Sequence, residues 1–103
     1  NNENKEEKEI DLDAVFVEIG WKTQTAFVDG LVDLSDGGYV KIDNISQTST
    51  EGLFAAGDVT DTPYKQIVIS AGEGAKAALS AYSYIQKQRG KAAQLTDFNR
   101  RKK

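Results

Sequence analysis

Gly57-Asp58 and Lys65-Gln66 are the pairs in this chain whose types and spacing could do chemistry. The first closes the apolar run Leu53-Phe54-Ala55-Ala56, within "EGLFAAGDVTD" at residues 51–61. A strand ending in Ala-Ala-Gly brings no large side chain to its end, so its backbone and a ligand can approach closely. An ionised aspartate directly after it is an acceptor only. It suits ligand hydroxyls, such as those of a ribose or a sugar alcohol, and repels phosphate. At the carboxyl edge of an open α/β sheet it would stand where such sheets bind ligands. Gln66, with the first N–H groups of the helical pattern that follows, forms a second, electropositive position suited to developing negative charge. One extended ligand could then place its hydroxyl chain at Asp58 and an electron-poor ring at the helix start. The plainer reading of Asp58 is a turn or cap carboxylate. On the residues alone both readings stand.

A second glycine pattern competes for a nucleotide. Gly72-Glu73-Gly74-Ala75-Lys76-Ala77 is formally G-x-G-x-x-A, after the apolar run Ile67 to Ile69. A dinucleotide fingerprint needs a genuine strand before it and an acid about 20 residues later for the ribose. The run is short and merges into a helical stripe, and the next acid after Glu73 is Asp97. Gly72 and Gly74 read better as small helix positions that let a neighbour or ligand pack closely.

Absent residues narrow the chemistry further. The chain of 103 residues holds Cys 0, His 0 and Met 0, so a disulfide framework and thiol redox or metal chemistry are excluded within it. No stretch approaches the roughly 20 apolar residues of a membrane span, and no signal-peptide pattern opens the sequence. The expectation is a soluble, cytoplasmic protein without a membrane partner. A net charge of −3 argues against nucleic acid as the main partner. The charge is uneven, acidic in NNENKEEKE at residues 1–9 and basic from Lys87 onward. The tail from Lys87 to Lys103 reads as a solvated terminus, or alternatively as a contact to RNA, DNA or an anionic membrane.

These residues need elements to hold them. IDLDAVFVEI, Ile10 to Ile19, becomes nearly continuously apolar and β-branched, which predicts a strand covered on both faces. Gly20 ends it, and Trp21 to Gly30 reads as a crossing loop with at most one helical turn. Trp21 could stack on a ligand or simply pack. Leu31–Leu34 and Tyr39–Asp43 predict a hairpin, because Ser35-Asp36-Gly37-Gly38 tolerates positive φ. A polar connector, NISQTSTE, leads to the short strand Gly52–Ala56. From about Gln66 the spacing of Ile67, Ala71, Ala75, Ala78, Tyr82 and Ile85 predicts one helix stripe, ended by Gly90 with Lys87 and Arg89 near its negative pole. No amphipathic helix lies near the first strand to cover it. The chain therefore reads as part of something larger.

The residues also carry a resemblance. "TSTEGLFAAGDVTDTPYKQIVISAGEGAKAALSAYSYI", residues 48–85, closely resembles the C-terminal signature of thioredoxin reductases and of the related flavoprotein component of alkyl hydroperoxide reductase. "DAVFVEIGWKTQT", residues 13–25, looks like the stretch where that family's chain returns from its NADPH domain to its FAD domain. The resemblance implies an α/β, three-layer FAD/NAD(P)-binding Rossmann-like fold, present here as its C-terminal part. It divides the chain into the end of an NADPH domain (1–20), the C-terminal part of an FAD domain (21–88) and a basic tail (89–103). It implies FAD as cofactor, with Gly57 and Asp58 matching the motif whose aspartate hydrogen-bonds the ribityl hydroxyls. Lys65, Gln66 and Ile67 match the segment whose backbone approaches the pyrimidine edge of the isoalloxazine. It further implies NADPH as donor, a Cys-x-x-Cys pair, thioredoxin or a similar disulfide protein as partner, and a homodimer. The chain has no Cys-x-x-Cys, no N-terminal G-x-G-x-x-G and no NADPH fingerprint, so by itself it is expected to be inactive. Lys22-Thr23-Gln24-Thr25 lacks the proline that many members carry there. Relatives without the dithiol, including ferredoxin-dependent reductases, share the signature, and a non-catalytic assembly module is the other alternative.

Overall fold

The computed structural model describes residues 3–20 and 22–93. Trp21, the residues after Ala93 and the readings attached to them, including Asp97 and the basic end Arg100 to Lys103, lie outside the described residues.

One long helix, α1, runs from Ile67 to Gln88. Its start is set by Gln66, whose extended backbone (φ −123°, ψ 143°) breaks the helical run after Pro63-Tyr64, and no side chain caps it. Its end is a full Schellman turn. Gly90 takes φ +67°, its N–H donates to the Lys87 carbonyl (3.0 Å), and the Lys91 N–H donates to the Gln86 carbonyl (2.9 Å). The expected C-terminal glycine therefore closes the helix as the sequence implies.

The hairpin also forms, as a tight turn with a single antiparallel bridge between Leu34 and Val40. Ser35 N–H donates to Tyr39 O (2.8 Å), Gly38 N–H to Ser35 O (2.8 Å) and Lys41 N–H to Asp33 O (2.9 Å). Gly38 adopts φ +75°, and its carbonyl accepts from Thr25 Oγ1 at 2.8 Å, which fastens the preceding loop to the turn. That loop contains one 3₁₀ turn, Ala26–Val28. A methyl group added at Gly38 would meet Thr23 Oγ1 at 3.1 Å. We expect Gly38→Ala in the full-length protein to lower stability by roughly 1–2 kcal/mol for the left-handed backbone alone, plus the crowding, read as a fall in Tm.

Two strand expectations are corrected. Ile10–Ile19 forms no strand, and Phe16 and Ile19 are 93% and 94% exposed. A lone strand leaves a row of backbone groups unpaired, and no ladder partner stands beside this segment among the described residues. Gly52–Ala56 does not form the expected short strand either, only one bridge position. Phe54 makes one antiparallel bridge to Gln47, and the segment is mostly half-buried. Asp43 prepares that pairing: its Oδ1 accepts from the N–H groups of Ile45 (2.9 Å) and Gln47 (2.8 Å), turning the chain through Ser46 at φ 65°. The bridge that matters most for the site is parallel, Val40 to Thr60. Val40 N–H donates to Val59 O (2.9 Å) and Asp61 N–H to Val40 O (2.9 Å), so one buried valine grips the chain just past Asp58.

The helix stripe faces opposite to what amphipathicity suggests. Ile67, Ala71, Ala75, Ala78, Tyr82 and Ile85 are all exposed, while Ser70, Glu73, Ala77, Ser80 and Tyr84 are buried or half-buried. The loop at 57–62 presents N–H and hydroxyl donors, and those draw the acceptor-bearing side of α1. Farther along, Tyr84 meets Phe54 edge-on at 6.3 Å between ring centres, joining the helix to the 47–54 pairing.

Candidate functional site

Asp58 sits in a short 3₁₀ turn, Gly57–Val59, and not at the mouth of a strand. Gly57 makes that turn possible. It lies at φ +79°, a conformation that costs a side-chain-bearing residue about 1–2 kcal/mol. The turn is held from both sides. On one side Val40 pairs with Thr60, whose side chain is fully buried (0% exposed). On the other lies the first part of α1. Ser70 Oγ donates to Asp58 Oδ1 at 2.8 Å, and the Gly57 N–H donates to Glu73 Oε2 at 2.8 Å. Ser70 and Glu73 are three residues apart, so they share one helix face.

Asp58 is exposed, and its Oδ2 has no hydrogen-bond partner among the described residues. It is thus fixed through one oxygen and open through the other. Asp58 and Lys65 line one cavity of about 360 Å³ with Lys22, Thr23, Gln24, Tyr39 and Val59. The Lys65 side chain is anchored: Nζ donates to the Thr60 carbonyl (2.6 Å) and stands 4.2 Å from the centre of the Tyr39 ring. Gln66 and Ile67 lie at the start of α1 outside that cavity lining, both exposed, with the N–H of Ile67 donating to no acceptor among the described residues. Gly57 also stays out of the lining and acts through its backbone. The expected residues therefore divide into a carboxylate and lysine at the cavity and an open helix end beside it.

Glu73 is the residue that sequence reasoning misses. In the sequence it reads only as the variable position between two glycines, yet its side chain is 8% exposed and collects three donors. Besides Gly57 N–H, these are Thr60 Oγ1 at 3.4 Å and the Thr62 hydroxyl. Burial pushes its pKa up, but the Thr62 hydroxyl, the Gly57 amide, the charge of Lys76 and the Thr60 hydroxyl outweigh it and hold the carboxyl below its ordinary 4.5. It is a charged acceptor at neutral pH. The signal available in sequence is a lone acid in an alanine- and glycine-rich helix, off the apolar stripe. The glycines around it do not form a phosphate loop. Gly72 and Gly74 lie inside α1 with nothing within 4 Å of an added methyl, so the G-x-G-x-x-A pattern is helix interior. The close neighbour expected there is not found among the described residues.

These features suit a ligand with hydroxyls next to a ring, and comparison with known proteins gives that class a family. Residues 1–78 match the model described as pyridine nucleotide-disulphide oxidoreductase. The chain belongs to this family. It is 52% identical over 83 residues to the F component of the alkyl hydroperoxide reductase of Pseudomonas aeruginosa, covering 80% of this chain and 16% of that protein. It is 46% identical over 85 residues to a protein of Bacillus subtilis named NADH dehydrogenase, covering 82% of this chain and 17% of that protein. Among solved structures, thioredoxin reductase from T. acidophilum is 42% identical with a TM-score of 0.67, over 81% of this chain and 27% of that one. The enzyme from Gloeobacter violaceus is 36% identical with a TM-score of 0.62, over 75% and 24%. The fold is thus the family's α/β FAD/NAD(P)-binding architecture, of which the chain spans about a quarter of these structures and about a sixth of the curated relatives.

Proposed function

We propose that this sequence supplies the ribityl- and ring-edge side of an FAD site in a flavin-dependent pyridine nucleotide–disulfide oxidoreductase. One observation carries the reading: Asp58 lines a cavity and is held through Oδ1, while its other carboxylate oxygen has no hydrogen-bond partner among the described residues. An acceptor so placed fits polyol hydroxyls. Asp58 would hold the ribityl chain, with Gly57 allowing close approach. The segment Lys65-Gln66-Ile67 would bring the open end of α1 to the ring, where unpaired N–H groups favour negative charge. When bound, FAD supplies a ring that takes hydride from a reduced nicotinamide and passes two electrons to a disulfide.

The division into an NADPH-domain end (1–20) and an FAD-domain part (21–88) belongs to the same proposal. The bare apolar segment at 10–19 and the exposed stripe of α1 support it, since both are surfaces that a larger protein would cover. On this reading NADPH is the donor, thioredoxin or a similar disulfide protein the acceptor, and the enzyme a cytoplasmic homodimer. A second reading keeps the site and changes the partners. The relatives at 46–52% identity include a hydroperoxide reductase component and a protein named for NADH, which favours a peroxiredoxin-linked, NADH-using reductase.

The full-length protein carrying this sequence is expected to keep flavin absorption bands after desalting and to oxidise NADPH or NADH with a disulfide acceptor. Residues 1–103 alone are expected to do neither. A full-length protein that emerges colourless from desalting after incubation with FAD sinks the reading. The ratio of rates with the two nucleotides, and with thioredoxin against a peroxiredoxin-reducing disulfide, decides between the partners.

A further inference from the structure

Glu73 does not line the cavity beside Asp58, yet no other side chain among the described residues gathers as many donors from the loop at 57–62 that presents Asp58. We propose that Glu73 is the positioning residue of the flavin site: its buried carboxylate holds the Gly57–Val59 turn so that Asp58 faces the ligand. The inference rests on the proposed role of Asp58 and extends it.

The geometry is specific. Oε2 accepts from the Gly57 N–H (2.8 Å) and from Thr60 Oγ1 (3.4 Å), while Oε1 accepts from the Thr62 hydroxyl. The residues before and after Asp58 are thereby tied to one helix turn. The single Thr60 hydroxyl proton is shared with the Gly57 carbonyl, the nearer acceptor at 2.8 Å, which closes the turn on itself. Ser70, on the same helix face, fixes the Asp58 carboxylate directly. The charged group facing Glu73 is Lys76, on α1 itself. Removing the carboxylate would leave a half-buried Gly57 amide and the Thr62 hydroxyl without their acceptor, and such groups are costly to leave unpaired. The turn would then relax toward other partners, and Asp58 with it.

Single and double variants in the full-length holoprotein test this, with FAD affinity measured by flavin fluorescence after reconstitution and Tm measured on the apoprotein. Glu73→Ala is expected to weaken FAD binding about tenfold in the parent but less than about twofold in an Asp58→Ala background. That coupling separates positioning from mere support, which would lower affinity by the same factor in both backgrounds. Equal factors overturn the inference, as does unchanged FAD affinity in Glu73→Ala. Should Glu73→Ala fail to fold, Glu73→Gln carries the test. It keeps one carbonyl acceptor of the two oxygens, so a loss of about threefold that vanishes in the Asp58→Ala background is expected. An additive loss there overturns the inference too. If Asp58→Ala alone leaves FAD binding intact, the underlying site reading fails. If Asp58→Ala weakens binding and the Glu73 variants do not, only the positioning role fails.

Discussion

Replacing Asp58 by alanine in the full-length protein is expected to weaken FAD binding by roughly 10- to 150-fold, the range that corresponds to losing about 1.5–3 kcal/mol from hydrogen bonds to a charged acceptor. The fold should barely notice. Asp58 is exposed and its bond to Ser70 Oγ lies at the surface, where such changes stay within about 0.5 kcal/mol. Asp58→Asn should fall between parent and alanine, because the amide keeps one acceptor and loses the charge. Equilibrium binding of FAD to the apoprotein, with Tm measured alongside, separates the two quantities. An Asp58→Ala variant that binds FAD as tightly as the parent removes the assigned role, whatever its Tm.

Why Asp58 is visible in the sequence and Glu73 is not is a matter of range. Asp58 announces itself locally: small residues, a glycine, then an acid, all adjacent. The Gly90 terminus and the Ser35–Gly38 turn are legible for the same reason, because each is closed by hydrogen bonds spanning only a few residues. Glu73 depends on donors more than ten residues away, at Gly57, Thr60 and Thr62, which no spacing rule brings together. The strand expected at 10–19 fails for a related reason. Its composition is strand-like, but a strand is defined by its partner, and none stands beside it among the described residues. Likewise the stripe from Ile67 to Ile85 shows that a helix forms, without saying which side the loop at 57–62 will take.

That choice of side has a consequence for the site. An apolar contact would let α1 slide or rotate against the loop, since dispersion is not directional. The contact instead runs through a carboxylate, a serine hydroxyl and a backbone N–H, whose geometries are narrow. The helix therefore fixes the turn in register while its apolar stripe stays available to other parts of a larger protein. The 360 Å³ cavity inherits this order, because Lys65 is pinned between the Thr60 carbonyl and the Tyr39 ring.

Gly57 is where backbone and site meet, and its substitution should show both effects at once. At φ +79° alanine costs about 1–2 kcal/mol, and its methyl would stand 3.4 Å from Ser70 Cβ, an ordinary contact. Valine is worse, since a β-branched residue in this region is a true outlier. If the backbone escapes the strain by leaving positive φ, the Gly57 N–H swings away from Glu73 and the Asp58 carboxylate away from Ser70. We therefore expect Gly57→Ala to lower Tm and weaken FAD binding by about tenfold or more, and Gly57→Val to abolish FAD retention on desalting. The decisive comparison is with Gly90→Ala, which imposes a similar backbone cost at φ +67° but lies at the far end of α1, with nothing within 4 Å of an added methyl. Both should lower Tm by similar amounts, and only Gly57→Ala should lower FAD affinity in the surviving folded protein. Equal losses of affinity in the two variants would mean that general stability, and not the geometry of the Gly57–Val59 turn, governs flavin binding.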